Sequence, residues 1–203
     1  MAKDKYLLAC RHSDKTPDGK HISAAGLQLV FDRLPYMIGR VFQMAGNGGM
    51  VITDFFHGIE VRTSETMAAG VCATRAFGAT IHAEPIAEMG DDETFGSWIK
   101  AGFSTLVKGG MTNLQAAKSV LDGRTASAFS EMCRICFTGI SDAFSQMTGQ
   151  FGLGFFHSPT VEMSAVSVWA EMPEDLRLNS LDGILFKQDE AGVISVIGVV
   201  RAQ

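Results

Sequence analysis

An arginine–histidine pair stands at the end of the first apolar segment of the chain. Arg11 and His12 follow the run Tyr-Leu-Leu-Ala-Cys at residues 6–10, and polar turn residues come next. Such a run is typical of a buried strand, and in an open α/β sheet ligands bind just beyond the carboxyl ends of strands. A guanidinium beside an imidazole suits an anionic substrate there, with His12 as nucleophile or acid/base and Arg11 as an oxygen clamp. Taken alone, the pair is more often a surface pair that closes a strand.

Two further strand ends carry similar chemistry. Arg62 follows the second predicted strand and opens a helix, and His157 follows a later strand. Because the carboxyl ends of parallel strands meet at one edge of a sheet, we expect these side chains to converge with Arg11 and His12. Cationic groups around a histidine suit a phosphoryl group, whose transfer needs positioning and charge neutralisation. A helix start at Arg62 favours an anion as well.

The elements that must position these residues follow from hydrophobic periodicity and turn signals. Strands are predicted at residues 6–10, 50–56, 78–83 and 153–156, with a terminal hairpin at 184–187 and 193–199. Helices are predicted at residues 24–37 (N-cap Ser23, with Pro35 bending or ending it), 60–77, 98–107, 112–121, 127–147 and 160–170. This alternation predicts an α/β fold, a three-layer α/β/α sandwich with a mainly parallel, mixed sheet. No linker divides the chain, so we expect one domain over residues 1–203, with an excursion or lid at about residues 90–125.

Composition narrows the class of protein. The chain has 203 residues, 46% of them apolar, which is enough for one well-packed core. Its net charge of −5 and the lack of a basic run disfavour bulk nucleic-acid binding. We identify neither an apolar stretch of transmembrane length nor a positively charged leader with a long apolar centre. The expectation is a cytoplasmic protein with no membrane or nucleic-acid partner; the oligomeric state stays open.

The spacing Cys133-x-x-Cys136 raises the question of a metal or redox pair. No second closely spaced pair completes a zinc pattern. The segment has helical periodicity, in which a spacing of three places both thiols on one face. We therefore expect buried, reduced cysteines and no metal.

Four motifs together resemble a known family. Arg11-His12-Ser13 after a buried strand is similar to the Arg-His-Gly signature of the histidine phosphatase superfamily, in its phosphoglycerate-mutase-like branch. Residues 22–28 (Ile-Ser-Ala-Ala-Gly-Leu-Gln) resemble its Leu-Thr-x-x-Gly-x-x-Gln helix opening, with the glutamine one position early. Residues 62–67 (Arg-Thr-Ser-Glu-Thr-Met) resemble Arg-Ala-x-x-Thr-Ala, and residues 155–158 (Phe-Phe-His-Ser) resemble the strand-His-Gly motif. The order and separations fit across nearly the whole chain.

The resemblance implies roles for the matching residues. His12 would be the nucleophile that becomes a phosphohistidine, and Arg11, Arg62 and His157 would bind the phosphoryl oxygens. The family's proton donor is a carboxylate in the loop after the third strand, where Glu88 is the best match and would protonate the leaving alcohol and then activate water. Its neighbours are the competing candidates: Glu84, Asp91, Asp92 and Glu93. A solvated acidic loop without a catalytic member is the alternative. The mechanism requires no metal or cofactor.

The chain departs from the family pattern at several places. Ser13 and Ser158 replace glycines; both are small, so backbone approach to phosphate is kept, and we include both among the phosphate-binding residues. Asp18 replaces an asparagine, so it either points away or the site takes a cationic or less charged substrate. Gly58 replaces a serine and follows His57, which we expect in an exposed turn unless it lies at the pocket mouth. His21 and His82 have no identifiable partner and are expected to face solvent or to be packed. The aromatic residues Phe95, Trp98 and Phe103 could line a pocket wall, but packing of a helix pair is the favoured expectation.

Three hypotheses of function result. The first is a metal-independent phosphomonoesterase acting through a phosphohistidine on His12. The second is a phosphoglycerate-mutase-type phosphotransferase, which the absence of an adjacent Arg-Arg clamp between Glu88 and His157 disfavours. The third is a non-catalytic phosphate- or phosphopeptide-binding module. The substrate class is open among sugar phosphates, nucleotides, small phosphorylated metabolites and phosphohistidine on a partner protein.

Overall fold

A six-stranded sheet forms the centre of the protein in the computed structural model, which describes residues 4–46, 50–90, 102–173 and 175–202. Its strands are β1 (Lys5–Arg11), β2 (Asp54–His57), β3 (Thr80–Ile81), β4 (Phe151–Phe156), β5 (Gly183–Gln188) and β6 (Ile194–Val200). Their order is β3-β2-β4-β1-β5-β6. The first four in this order run parallel, and the β5–β6 hairpin adds antiparallel strands beside β1. The predicted mixed, mainly parallel sheet is confirmed.

Helices cover both faces of this sheet. They are α1 (Ala24–Met44), α2 (Val61–Thr74), α3 (Phe103–Lys108), α4 (Asn113–Asp122), α5 (Ala128–Gln146) and α6 (Thr160–Val166), with a 3₁₀ turn at Ala87–Met89. Buried residues of α1 and α2 form one apolar cluster with the sheet, and those of α4, α5 and α6 form another on the opposite face. The three-layer α/β/α sandwich is therefore confirmed.

Burial on both faces explains why β1 is apolar without interruption. Leu7 and Ala9 belong to the cluster under α5 and α6, whereas Leu8 and Cys10 belong to the cluster under α1 and α2. Successive side chains of a strand point to opposite faces, so a strand covered on both sides needs apolar residues at every position. The polar residues begin where this coverage ends, at Arg11 and His12.

Several element boundaries differ from the prediction. Helix α1 continues past Pro35 to Met44, because Ile38 and Val41 beyond the proline pack into the core. The N-cap at Ser23 is as predicted: its side chain accepts a hydrogen bond from the Gly26 N–H at 2.9 Å. Three other predicted segments, at 50–56, 78–83 and 160–170, are shorter in the structure. Strand length depends on the partner strand, and β3 pairs with β2 at only two positions.

The segment predicted as an excursion contains α3 and α4, while residues 91–101 of it lie outside the described residues. Thr112 caps α4 in a capping box with Gln115.

On α5, Cys133 and Cys136 are buried free thiols, as predicted. Burial raises the pKa of Cys133 to about 12 and raises that of Cys136 as well. Within the described part of the chain, no helix combines the length and the apolar character needed to cross a bilayer.

Candidate active site

The candidate site lies at the carboxyl ends of three adjacent strands. Strand β4 lies between β2 and β1, and Cys10, Phe155 and His57 are in register across them. The chain therefore leaves all three strands at the same level of the sheet. The His12 N–H donates to the Phe156 carbonyl at 2.8 Å, which continues the ladder by one residue and seats His12 beside the end of β4.

A cavity of about 530 Å³ opens at this edge, and Arg11, His12, Arg62 and His157 all line it. The structure thus brings together the four side chains that the sequence placed at strand ends. Ser13 and Ser158 line it too, as do seven residues that sequence reasoning did not assign to the site: Asp14, Lys15, Ser23, Ala25, Phe103, Asn113 and Ser180. Lys15 could have been found from its place in the turn that follows His12.

The His12 ring is held in one tautomer. Its Nδ1 lies 2.6 Å from the Ser13 carbonyl oxygen, which can only accept, so Nδ1 carries the proton and Nε2 keeps its lone pair. Nε2 accepts a hydrogen bond from Arg62 Nε at 3.2 Å. Burial, followed by the charge of His157, lowers the pKa of His12 to about 3, and the hydrogen bond to Ser13 opposes this only in part. His12 is therefore neutral at neutral pH, as a nucleophile must be.

Arg62 connects the two histidines. Its Nη2 lies 3.3 Å from His157 Nδ1, and its Nη1 forms an ion pair with Glu60 Oε2 at 2.7 Å. Nη1 also donates to the carbonyl oxygen of Gly19, in the loop that follows β1. The guanidinium group is thus held by Glu60 and by the Gly19 carbonyl while it contacts the rings of both His12 and His157.

Glu60 is a site residue that sequence reasoning missed. Its Oε1 accepts from His157 Nε2 at 3.2 Å, so one carboxylate holds both Arg62 and His157. Burial opposes its ionisation, but the hydrogen bond and charge of His157, together with Arg62, keep the pKa of Glu60 below its usual range. Burial lowers the pKa of His157, and Glu60 opposes that shift. An acidic residue two positions before Arg62, a predicted site residue, was the available signal.

The loop after β1 is tied to α1. Ser13 Oγ donates to the Gly26 carbonyl at 2.7 Å, so in this arrangement its hydroxyl proton is used within the protein. A side chain at Gly26 would overlap the backbone of Asp14, so only glycine allows this approach. Arg11 Nη1 donates to the Leu178 carbonyl at 2.7 Å. These contacts fix the position of the Arg11-His12 pair from both sides.

A second hydrogen-bonded group adjoins the cavity. Ser158 Oγ lies 2.6 Å from Asn113 Nδ2 and 2.6 Å from Glu162 Oε1. Glu162, on α6, is completely buried. Asn113 is the first residue of α4, so this cluster joins the excursion to the end of β4. The long sequence separation between Asn113 and Ser158 left no signal for this contact.

Glu88, the proton donor that the resemblance assigns, lies on the 3₁₀ turn after β3. Its Cβ packs beside Gly139 of α5, and it is not among the described residues that line the cavity. The turn itself is close to the site, because a Cβ at Gly90 would lie 3.2 Å from the His157 ring. Of the competing carboxylates, Glu84 is exposed, while Asp91, Asp92 and Glu93 lie outside the described residues.

Two expectations near the site need correction or completion. His57 is not in an exposed turn: it is the last residue of β2 and is buried, with Nδ1 2.7 Å from the Gly58 carbonyl and Nε2 3.3 Å from that of Ala83. It holds the segment after β3 against β2.

Asp18 is exposed, and its carboxylate accepts a hydrogen bond from Thr16 Oγ1 at 2.6 Å within its own turn. Of the two alternatives for Asp18, the structure favours the one in which it points away.

Partners exist for both histidines that had none in the sequence. His21 Nδ1 lies 2.8 Å from Glu65, and His82 Nε2 lies 3.0 Å from the buried Asp54. The His82 ring also stacks on Phe56, with centroids 4.3 Å apart. Phe103 lines the cavity as well as packing against the core, so the expectation of packing alone was incomplete; Phe95 and Trp98 lie outside the described residues.

A larger cavity, of about 670 Å³, lies near the amino end of β2 and the end of α2. Exposed apolar side chains such as Val51 and Phe77 contribute to its lining, and Arg75 is its one cation among the described residues. The smaller cavity is lined by three cationic side chains and two histidines, and it lies at a topological switch point of the sheet, where the strand order reverses. Chemistry, and not size, identifies the candidate site.

The structure is similar to solved structures over nearly its whole length. A phosphoglycerate mutase from Bacillus anthracis str. Sterne matches with a TM-score of 0.67 and 10% identity, over 99% of this chain and 95% of that chain. A phosphoserine phosphatase from Entamoeba histolytica, in complex with 3-phosphoglyceric acid, matches with a TM-score of 0.60 and 16% identity, over 98% of each chain. An alpha-ribazole phosphatase from Shigella flexneri matches with a TM-score of 0.55 and 10% identity, over 97% of this chain and 96% of that chain.

These similarities define the class of fold. It is the phosphoglycerate-mutase-like α/β fold that these three proteins share, so the fold implied by the resemblance of the four motifs is confirmed. At identities of 10–16% the similarity establishes the fold and not the reaction. The sequence matches neither a family model nor a curated protein.

Proposed function

We propose that the protein is a metal-independent phosphomonoesterase that works through a phosphohistidine on His12. The observation that carries this proposal is the convergence of Arg11, Arg62 and His157 around a neutral His12 whose Nε2 carries a lone pair and no proton. A nucleophile surrounded by cationic and N–H donors fits phosphoryl transfer, because the charge on the phosphoryl oxygens is then neutralised throughout the reaction.

In the proposed first step, the Nε2 lone pair attacks phosphorus and the bond to the leaving oxygen breaks. Arg62 must first exchange its contact with Nε2 for a phosphoryl oxygen, because the same nitrogen cannot accept a hydrogen bond and form the new bond. A carboxylic acid protonates the leaving alcohol. In the second step that carboxylate takes a proton from water, the oxygen attacks phosphorus, and the N–P bond breaks to release phosphate and neutral His12.

Comparison with related folds supports the class of reaction without naming the substrate. Two of the similar structures are phosphatases by name, and the phosphoserine phosphatase holds a phosphorylated carboxylic acid. The mutase alternative requires return of the phosphoryl group to a second hydroxyl, and the described cavity lining includes no adjacent arginine pair to hold a substrate carboxylate. Product analysis separates the two: a phosphatase releases inorganic phosphate, whereas a mutase returns an isomeric ester.

The test combines turnover with trapping of the intermediate. Hydrolysis of an aryl phosphate is measured in the presence of a metal chelator, and the reaction is then quenched in alkali, where an N–P bond survives. Chelator-resistant turnover together with a phosphoryl group located on His12 by peptide mass spectrometry is the expected result. Turnover that the chelator abolishes, or a phosphoryl group on another residue, contradicts the proposal. Binding of phosphate without turnover on any ester indicates the non-catalytic module.

Arg62 provides a graded test of the anion site. Arg62→Lys keeps the charge but loses the fork that reaches both histidines, and we expect kcat/KM for the aryl phosphate to fall by about 10²–10³-fold. Arg134→Lys, an equivalent change on the exposed face of α5, is the matched control and should leave the rate unaltered. Equal rates for Arg62→Lys and the parent would remove Arg62 from the proposed machinery.

The proton donor can be assigned by changing the leaving group. We expect Glu88→Gln to lower kcat/KM, which reports the steps up to formation of the phosphohistidine, by about 10²-fold for an alkyl phosphate and to spare it for an aryl phosphate whose leaving group needs no proton. Glu60→Gln, in contrast, acts through Arg62 and His157, so it should slow both esters to the same extent. The reverse pattern, with a leaving-group-dependent loss only in Glu60→Gln, would transfer the acid role from Glu88 to Glu60.

A further inference from the structure

Ser158 occupies an unusual position in the candidate site. It follows His157 directly, lines the same cavity, and stands where the resembling family has glycine. A hydroxyl has one proton and two lone pairs, so its neighbours decide whether it offers a donor or an acceptor to a ligand. Its neighbours here are the Asn113 amide, which can only donate from Nδ2, and the Glu162 carboxyl, both at 2.6 Å.

The surroundings of the Glu162 side chain favour a neutral carboxyl group over a carboxylate. This side chain is completely buried, and its Oε2 has no hydrogen-bond partner; within the described part of the chain, Arg11 Nε is the other buried side-chain polar atom in that condition. An ionised carboxylate with one bare oxygen is costly in a core, whereas a neutral carboxyl needs only one acceptor for its proton. Ser158 supplies that acceptor at Oε1, so the proton belongs on Oε1 and Oε2 is a carbonyl oxygen.

The groups that face Glu162 do not reverse this assignment. Arg11 from β1 favours the ionised form, and the Cys136 thiol of α5 faces Glu162 within the core, where burial raises the pKa of the thiol. The β5 side chains in the same cluster are apolar, Ile184 and Phe186. Burial is the largest influence and outweighs Arg11 and the hydrogen bonds that would favour a carboxylate, so the pKa of Glu162 is raised above its ordinary value.

Both lone pairs of Ser158 are then occupied. Asn113 Nδ2 donates to one, and the protonated Oε1 of Glu162 donates to the other, so the Ser158 proton has to point elsewhere. The open side of Ser158 is the cavity that holds His12 and Arg62. With an ionised Glu162, the serine proton would turn to the carboxylate, and the hydroxyl would present only lone pairs to an anion.

We propose that Ser158 is a committed hydrogen-bond donor to the phosphoryl group, and that Asn113 and a neutral Glu162 are the positioning residues that direct its proton into the cavity. This inference rests on the proposed function, since it assumes that the cavity binds a phosphoryl group. With serine in the place of the family's glycine, the site gains one hydrogen-bond donor of fixed direction. Helix α4 of the excursion contributes to anion binding through Asn113, which acts on Ser158.

The probe is inorganic sulfate, whose charge stays constant from about pH 5 to pH 9, with binding measured by calorimetry at neutral pH. We expect Ser158→Ala to bind sulfate about tenfold more weakly, because a hydrogen bond to a charged group is lost. Glu162→Met, which cannot donate, should weaken binding similarly, and Glu162→Gln, whose amide can donate to Ser158, should restore most of the affinity. Glu190→Gln, on the exposed β5–β6 turn, is the control for loss of a carboxylate.

An infrared measurement tests the neutral carboxyl without relying on affinity. The carbonyl stretching band of a protonated carboxyl is expected in the parent at neutral pH and is expected to be missing from Glu162→Gln. A parent without this band, or a Ser158→Ala variant with full sulfate affinity, overturns the inference. If the parent does not bind sulfate, and Arg62→Ala therefore shows no loss of binding, the proposed function is overturned as well. Failure of the inference alone and failure of the proposed function are thus distinguishable.

Discussion

Replacing His12 with alanine is expected to lower kcat/KM for an aryl phosphate by at least about 10⁴-fold. In the proposed mechanism, His12 is the residue whose loss removes bond formation itself, whereas the surrounding cations only stabilise charge. The tautomer supports this role, since the Ser13 carbonyl holds the proton on Nδ1 and leaves Nε2 unprotonated. Steady-state hydrolysis in the presence of a chelator provides the measurement, and phosphate binding by the same variant shows that the anion site survives.

The matched control is His21→Ala. His21 lies on the same loop but is exposed and pairs with Glu65, outside the cavity. We expect its loss to change the rate by less than about threefold, within the range of surface substitutions. A His12→Ala protein that is folded and retains more than about a hundredth of the parent rate would show that His12 is not the nucleophile.

Folding stability should fall steeply in acid because His12 is buried in its neutral form. Its pKa is about 3 in the folded protein against an ordinary value of 6.5, so between these two pH values the unfolded chain binds a proton that the folded chain does not. The free energy of unfolding that His12 contributes is complete above pH 6.5 and is lost as the pH falls toward 3. At about pH 4.5 the parent should have lost about 3 kcal/mol from this residue, at about 1.4 kcal/mol per pKa unit.

Urea unfolding of the parent and of His12→Asn at pH 7 and at about pH 4.5 isolates this contribution. The asparagine does not titrate, so the variant should lose about 3 kcal/mol less than the parent between the two pH values. Paired carboxylates and His157 contribute to the acid loss in both proteins and cancel in the comparison. Thr138→Ala, exposed on α5, controls for substitution as such. Parallel losses in the parent and His12→Asn would contradict a buried, neutral His12.

Part of the candidate site could be predicted because it depends on local sequence. Arg11, Arg62 and His157 each follow a short apolar run, and an apolar run buried on both faces has to end where polar residues begin. A parallel sheet then brings such ends to one edge whatever the order of its strands. The motifs add their spacing to this argument, which is why fold and anion site could be inferred together.

The contacts made within that edge could not be predicted in the same way. Glu60 lies two positions before Arg62 in the sequence, but only the fold places its second oxygen on His157. His57 belongs to a turn by sequence, yet the carbonyl of Ala83 encloses it once β3 lies beside β2. Glu88 matches a motif, while its side chain packs at Gly139 of a helix far along the chain.

The sequence by itself determined the layered α/β architecture and the set of residues around His12, because periodicity, strand ends and motif spacing are properties of the linear chain. Only the tertiary structure decided which proton each group carries and which partner it meets. Neutral His12 and buried Glu162 depend on desolvation and on neighbours such as Asn113 and Arg62. Those quantities arise from three-dimensional packing between segments that are distant in sequence, so no local pattern encodes them.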